Sequence, residues 1–286
     1  WKVVYKAVSE AVEYGLKNRN LENITAIGVD EIAVFKGYKY LSMVYQIDAN
    51  KKRLLWCDSG REENTLLKFF DFFGKERSEK LEYVCSDMWK AYLNAVKKKA
   101  INAVHILDRF HIIKKFNEVI DDIRRLESSQ IAKTGKENIL KNSRWTLLKN
   151  PKNLTVKQVC KLSELLKQNL LSVKAYLLRE DFQRFWKYDN KELAGQFLEE
   201  WIERTMKSNI LYMKRLTKML KRHKKLILNW FIPKGEFSSG VVEGLNCKAK
   251  LVMRKAYGYK TTKCLKVALY HNMGDLPEPK TTHRFG

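Results

Sequence analysis

Three acidic residues stand where acids are costly. Asp30 lies in TAIGVDEIAVF, Asp87 closes LEYVCSD, and Glu243 opens the otherwise basic run VVEGLNCKAKLVMRK. The first two runs are apolar and read as strands. A carboxylate on such a strand is costly unless it is paired or metal-bound. Period two sets Ala26, Gly28 and Asp30 on one face and Ile27 and Val29 on the other, so small residues leave room for a bulky ligand beside the acid. Tyr83, Cys85 and Asp87 share a face in the same way, and Asp108 closes the run AVHIL. Two Asp from neighbouring strands and a Glu from a helix make an oxygen-rich site that suits Mg²⁺, with Mn²⁺ as a substitute. Two such ions about 3.5–4 Å apart clamp the attacking and leaving oxygens of a phosphoryl displacement. Glu243 would then face the metals while Lys250 and Arg254, on adjoining turns, meet phosphates. The plainer alternative is a set of turn and cap residues, with Asp87 capping the helix that begins near Trp89-Lys90.

The bulk charge agrees with a phosphate partner. The 286 residues carry Lys+Arg 56 against Asp+Glu 32, a formal charge of +24. That excess costs self-repulsion and points to a polyanion rather than to solubility alone. A hydrophobic fraction of 45% suffices for a core. Five cysteines, none at CxxC spacing, and scattered histidines argue against a disulfide framework and a zinc site, and for a reducing cytoplasm. No apolar run has membrane-spanning length and no secretory signal opens the chain. The chain starts at Trp1, which suggests trimming or a segment upstream.

The elements that must position these acids follow from the hydrophobic pattern. Residues 1–23 read as a helix. Residues 25–35, 40–49 and 53–60 read as an antiparallel meander. A helix over 62–77, a strand over 81–88, a helix over 89–100 and a strand over 103–112 follow, the last two strands parallel through a right-handed crossover. Residues 113–234 are rich in Leu, Lys and Glu and read as five or six helices. The Glu243 helix and a last helix over 265–273 close the chain, giving a mixed α/β pattern. Within the helical block, Lys214, Arg215, Lys218, Lys221 and Arg222 crowd one segment without an acid, either as a solvated face or as a phosphate track. Trp89 follows Asp87 and either stacks on a base or packs in the core. The basic, aromatic tip FKGYKY is either a contact or a simple hairpin end.

The segments GVDEIAVFKGYKYLSMVYQID, CSDMWKAY, HILDRFHIIKKFNE and VVEGLNCKAKLVMRKAYGY resemble DDE transposases of bacterial insertion sequences, above all the ISL-three family. The resemblance runs in order along nearly the whole chain. It implies a ribonuclease-H-like mixed five-stranded sheet flanked by helices, with a large all-helical insertion. On that pattern 1–23 is a helical remnant of an N-terminal DNA-binding region, 24–112 and 237–286 form the catalytic core, and 113–236 the insertion. It implies catalytic and metal-binding roles for Asp30, Asp87 and Glu243, support from Asp108, His111 and Asn246, and DNA contact by Arg254, Lys255 and Tyr257. Asp108 rivals Asp87 for the second acid; Asp87 is preferred because it follows the fourth core strand. The activity implied is nicking at transposon ends and strand transfer of the freed 3′-hydroxyl into target double-stranded DNA. It implies a homodimer on DNA and a nucleoid-associated, cytoplasmic protein. Relatives carry an N-terminal zinc-binding segment and helix-turn-helix, and the sequence begins inside what reads as the last helix of that region, with no Cys-based zinc motif. Two other readings stay open: a non-catalytic, decayed or domesticated DNA-binding protein, and another nuclease on the same core.

Overall fold

The computed structural model describes residues 2–35, 39–233, 239–255 and 258–279, the side chains of Phe35 and Ser239 excepted. The hairpin tip at 36–38, the start of FSSG and Tyr257 lie outside the described residues. In chain order the elements are α1 (Lys2–Asn18), β1 (Ala26–Phe35), β2 (Lys39–Asp48), β3 (Lys51–Ser59), α2 (Glu63–Phe73), α3 (Lys75–Glu79), β4 (Tyr83–Ser86), α4 (Lys90–Lys99) and β5 (Val104–Leu107). Then come α5 (Arg109–Lys133), α6 (Arg144–Leu148), α7 (Val156–Leu166), α8 (Leu171–Phe182), α9 (Lys191–Lys207), α10 (Leu211–Arg222), α11 (Lys224–Leu228), α12 (Ser239–Lys255) and α13 (Thr262–Met273). Two compact units result: residues 1–108 with 236–286, and residues 109–235.

The first unit holds a five-stranded sheet in the order β3-β2-β1-β4-β5. β1, β2 and β3 pair antiparallel, and β1, β4 and β5 pair parallel. This is the expected mixed sheet: the short connectors after β1 and β2 permit only hairpins, and the helical crossover through α4 makes β4 and β5 parallel. The alternation of side chains is used on both faces. Ala26 and Ile32 of β1 join Val12 of α1, Val242 and Ala249 of α12 and Leu265 and Leu269 of α13 in one core. Ile27 and Val29 join Phe69, Phe70 and Phe73 of α2 and Tyr92 and Val96 of α4 in the other.

Three boundaries differ from the sequence pattern for local reasons. The helix expected over 62–77 breaks at Gly74, whose φ of 89° ends α2 while its N–H bonds Phe70 O at 2.9 Å. The strand expected over 103–112 stops at Leu107, and Arg109 to Ile112 form the first turn of α5. Ile112, Phe116, Ile120 and Ile123 are the buried residues of α5, a helical stripe that a short apolar window mistakes for strand. The first helix, whose apolar pattern ends near Tyr14-Gly15-Leu16, runs on to Asn18.

The second unit is helical throughout its described length. Its core centres on Phe116, Phe182 and Trp201, with ring centroids 4.7 Å (Phe116–Phe182) and 5.1 Å (Phe182–Trp201) apart. Arg179, 2% exposed, is satisfied within it by Asn117 Oδ1 at 2.7 Å and Glu180 Oε1 at 2.6 Å.

The room beside Asp30 is taken by a helix rather than by a ligand. A Cβ at Gly28 would lie 2.4 Å from Val242 Cγ2 of α12 and 3.3 Å from Ile47 Cγ2. We expect Gly28→Ala to lower stability by about 1–3 kcal/mol through overpacking, read as a fall in Tm. An unchanged Tm would contradict this seating of α12.

Candidate active site

The acids gather where the parallel pairing of β1, β4 and β5 ends. The β1–β4 register ends with Val29 opposite Ser86; Asp30 is the next residue of β1, and Asp87 is the first residue past β4. Leu107 of β5 pairs with Ser86, and the N–H of the following Asp108 donates to Ser86 O at 2.8 Å. Asp30 is 8% exposed and Asp108 4% exposed. Cys85 lies within the field of both. Burial pushes its thiol well above the ordinary range, and the charges of Asp108 and Asp30 push it further.

α12 supplies the remaining groups through two phases of one helix. Val242, Asn246 and Ala249, at i, i+4 and i+7, are buried. Val242 fills the notch at Gly28, and one helical turn on, Asn246 Nδ2 donates to Asp30 Oδ2 at 2.5 Å. Two strand residues and four helix residues advance by about the same 6–7 Å, so helix and strand stay in step here. Tyr45 of β2 completes the contact by donating its hydroxyl to Asn246 Oδ1 at 2.7 Å. Burial drives the Tyr45 phenol well above its usual range, with the Asp30 charge adding to it, so it remains a donor. The other Asp30 oxygen accepts the Glu31 N–H at 2.8 Å. Glu243 precedes Asn246 by one turn and is exposed, as are Cys247, Lys250 and Arg254, which follow it at helical spacing on the outer side.

Asp87 sits in the turn between β4 and α4, half-buried, and one carboxylate oxygen accepts the Trp89 N–H at 2.9 Å. This is a turn ahead of the helix rather than a cap on it: Trp89 is the N-cap of α4 and makes no side-chain cap bond, so the capping alternative is not realised. Ser86 braces the turn: its hydroxyl donates to Asp87 O at 2.9 Å and lies 2.7 Å from His105 Nε2. A hydroxyl has one proton, so the imidazole must be the donor in the second contact, which fixes the Nε2–H tautomer. Burial holds the His105 pKa down to about 4, keeping the ring neutral near pH 7.

The other sequence candidates spread across both units. Lys255 is exposed at the end of α12. Trp89 is 43% exposed, which removes the packed-core reading of that side chain. His111 is half-buried on the first turn of α5, and its ring centroid lies 5.8 Å from that of Phe110. On α10, Met213, Leu216, Thr217 and Leu220 are buried while Arg215, Lys218, Lys221 and Arg222 are exposed and Lys214 is half-buried. Sequence reasoning missed Tyr45, Ser86 and His105. Each is a polar group in an apolar strand run, the same signal that drew attention to Asp30. That signal is not selective: Asp48 is also buried, yet it is consumed structurally by the N–H groups of Thr25 and Ala26 and by Gln46 Nε2.

The donors fit a hard divalent cation in kind, since they are carboxylate oxygens without a His or Cys cluster. Among the described residues, no group of three or more His, Cys, Asp and Glu side chains is disposed to hold a metal. Exposed Glu243 stands apart from the strand-end acids by the turn that carries Asn246.

His105 makes stability depend on pH with a definite sign. Its folded pKa is below the ordinary value of 6.5, so the unfolded chain binds the proton first. This contribution is full above pH 6.5 and declines as pH falls from 6.5 toward 4, by up to about 3 kcal/mol. Urea denaturation across that interval should show the decline, and His105→Gln should flatten it. An identical profile in the variant would contradict the assignment.

The chain matches a family model described as transposase, of the DDE ISL3 (ISL-three) type, over residues 27–269. It is 29% identical over 262 residues to the transposase for insertion sequence element IS1001 of Bordetella parapertussis, covering 91% of this chain and 64% of that protein. It is likewise 29% identical over 265 residues to the transposase for insertion sequence element IS1557 of Mycobacterium tuberculosis, covering 85% of this chain and 59% of the relative. The chain therefore spans about three-fifths of the length of these curated relatives. With its ribonuclease-H-like mixed sheet and a family match over most of its length, the chain belongs to the DDE transposases of the ISL3 type.

Proposed function

We propose that this chain is the catalytic part of a DNA transposase that cuts a strand at the ends of an insertion sequence and joins the freed 3′-hydroxyl to target DNA. The observation that carries the reading is the docking of α12 on β1. It ties Asp30 to Asn246, one turn from Glu243, beside the ends of β4 and β5 where Asp87 and Asp108 stand. Asp30, Asp87 and Glu243 are the residues that would hold Mg²⁺ or Mn²⁺, which when bound activates the attacking oxygen and stabilises the leaving one. The chain's own groups do the rest. Asn246 and Tyr45 orient the Asp30 carboxylate, and Ser86 with His105 braces the backbone of Asp87. Asp108 supplies further negative charge at the strand ends, and closure requires Glu243 to turn toward them.

The same reading assigns DNA contact to Trp89, Lys250, Arg254 and Lys255 in the first unit, together with Tyr257. In the helical unit it assigns phosphate contact to α10, whose five basic residues make no ion pair among the described residues. The compact units support a core of 24–112 and 237–286 with 113–236 as a helical insertion in the sequence, the boundaries agreeing within a few residues. Joining two ends calls for a homodimer on DNA. No helix among the described residues is long and apolar enough to cross a membrane, and the reading places the protein on the nucleoid in the cytoplasm.

The test is strand cleavage and joining on DNA carrying the element's end, with and without Mg²⁺. Asp30→Ala, Asp87→Ala and Glu243→Ala should each abolish both steps while salt-sensitive binding persists. Binding with no cleavage by the native chain would favour a non-catalytic DNA-binding protein, and cleavage without joining another nuclease. Full activity in Asp87→Ala with loss in Asp108→Ala would transfer the second position to Asp108. Replacing Lys214, Lys218 and Lys221 by Ala should reduce the slope of log affinity against log salt by about 0.9 for each phosphate no longer neutralised. An unchanged slope would remove α10 from the interface.

A further inference from the structure

The turn after Asp87 carries an aromatic and cationic surface on which the fold of the sheet makes no demand. The Trp89 indole is 43% exposed, and its Nε1–H donates to Arg61 O at 2.8 Å, which fixes the plane of the ring. The Arg61 guanidinium lies 5.0 Å from the Trp89 ring centroid and 4.3 Å from that of Tyr40. It makes no salt bridge among the described residues. These three side chains line a cavity together with Lys39, Glu62 and Thr262. The floor is anchored as well: Ser42 Oγ donates to Gly60 O at 2.8 Å and is 2.9 Å from Tyr92 Oη, which ties the loop bearing Arg61 to β2 and α4. The indole is therefore held in place before any ligand arrives, which lowers the entropic cost of stacking on it.

We propose that Tyr40, Arg61 and Trp89 form a stacking subsite for one unpaired nucleobase of a DNA strand. The inference rests on the DNA reading above and narrows it from duplex to a base out of the duplex. The chemistry favours a base over other planar ligands. Two aromatic rings and a guanidinium offer π faces to any base, and Lys39 is placed for an adjoining phosphate. A base inside a duplex already has both faces covered, whereas a base at a frayed or nicked end does not. Location agrees: Trp89 follows Asp87 by two residues, a span of at most about 7 Å, and Asp87 Oδ1 accepts the Trp89 N–H. A base on this ring would lie beside the strand-end acids, where cutting leaves an end.

The experiment measures binding of the full chain, without metal, to a blunt duplex and to the same duplex with a short single-stranded overhang. The overhang should bind about tenfold tighter, and 2-aminopurine at its first unpaired position should be quenched. An abasic site at that position should remove the preference, since phosphate contacts alone would keep it. Trp89→Leu and Tyr40→Leu, with native thermal stability, should bring the ratio of the two affinities to about one, while Trp89→Tyr retains most of it. Equal affinity for blunt and overhang DNA by the native chain, or a preference that survives Trp89→Leu or the abasic probe, overturns the subsite and leaves the transposase reading standing. Loss of cleavage in a metal assay leaves the subsite standing, and absence of any DNA binding defeats both.

Discussion

The docking of α12 onto β1 is the constraint on which the rest depends. It has an apolar half and a polar half. Val242 enters the notch that Gly28 leaves, and Asn246 reaches Asp30. The apolar half sets the height and phase of the helix, because any side chain at residue 28 would collide with it. The polar half uses that phase to bring a donor to a buried carboxylate. Glu243 is carried by the same helix, one turn before Asn246 and exposed, without contributing to the core. The exposed spiral of Cys247, Lys250 and Arg254 follows from the same phase.

Burying charge near the sheet is tolerated because each acid is given a defined environment. Asp48 takes N–H groups from Thr25 and Ala26 and the amide of Gln46, the full structural use of a carboxylate. Asp30 has its backbone donor and the Asn246 amide, itself backed by a phenol held protonated by burial. Asp87 keeps one oxygen on the Trp89 N–H. The difference between a structural acid and a candidate ligand lies in the company each keeps: Asp48 stands in a polar network of its own, whereas Asp30 lies just past the parallel β1–β4 pairing, next to Asp87 and Asp108, which follow β4 and β5. The proposed Mg²⁺ or Mn²⁺ would be held by this grouping of carboxylate oxygens.

Much of this was legible in the sequence because alternation and connector length are local signals. The three antiparallel strands, the parallel pair and the two faces of β1 followed from period two and from hairpin against crossover. What escaped was set by long-range packing. The occupant of the Gly28 notch is a helix more than two hundred residues away, and no local pattern says whether a small residue makes room for a ligand or for Val242. The turn of 109–112 into helix was masked because Ile112 serves a helical stripe that only becomes visible with Phe116, Ile120 and Ile123. Tyr45, Ser86 and His105 were overlooked since their partners come from other strands or from α12. The placement of the Trp89 ring likewise depended on Arg61, a residue from another loop.

The distribution of charge fits the same picture. The first unit bears cations on the outer side of α12, and the second bears them on α10 over a packed apolar stripe, so basic residues sit where apolar packing has no use for the surface. The central claim is that the strand-end acids and the α12 acid share one divalent-ion centre. Anomalous diffraction at the manganese edge, from crystals grown with Mn²⁺ and a DNA end, tests it most directly. The expected result is a peak coordinated by carboxylate oxygens of Asp30 and Asp87, with Glu243 turned in to complete the centre. A peak held elsewhere, or full Mn²⁺ binding with Glu243 still facing solvent in the DNA complex, would contradict it.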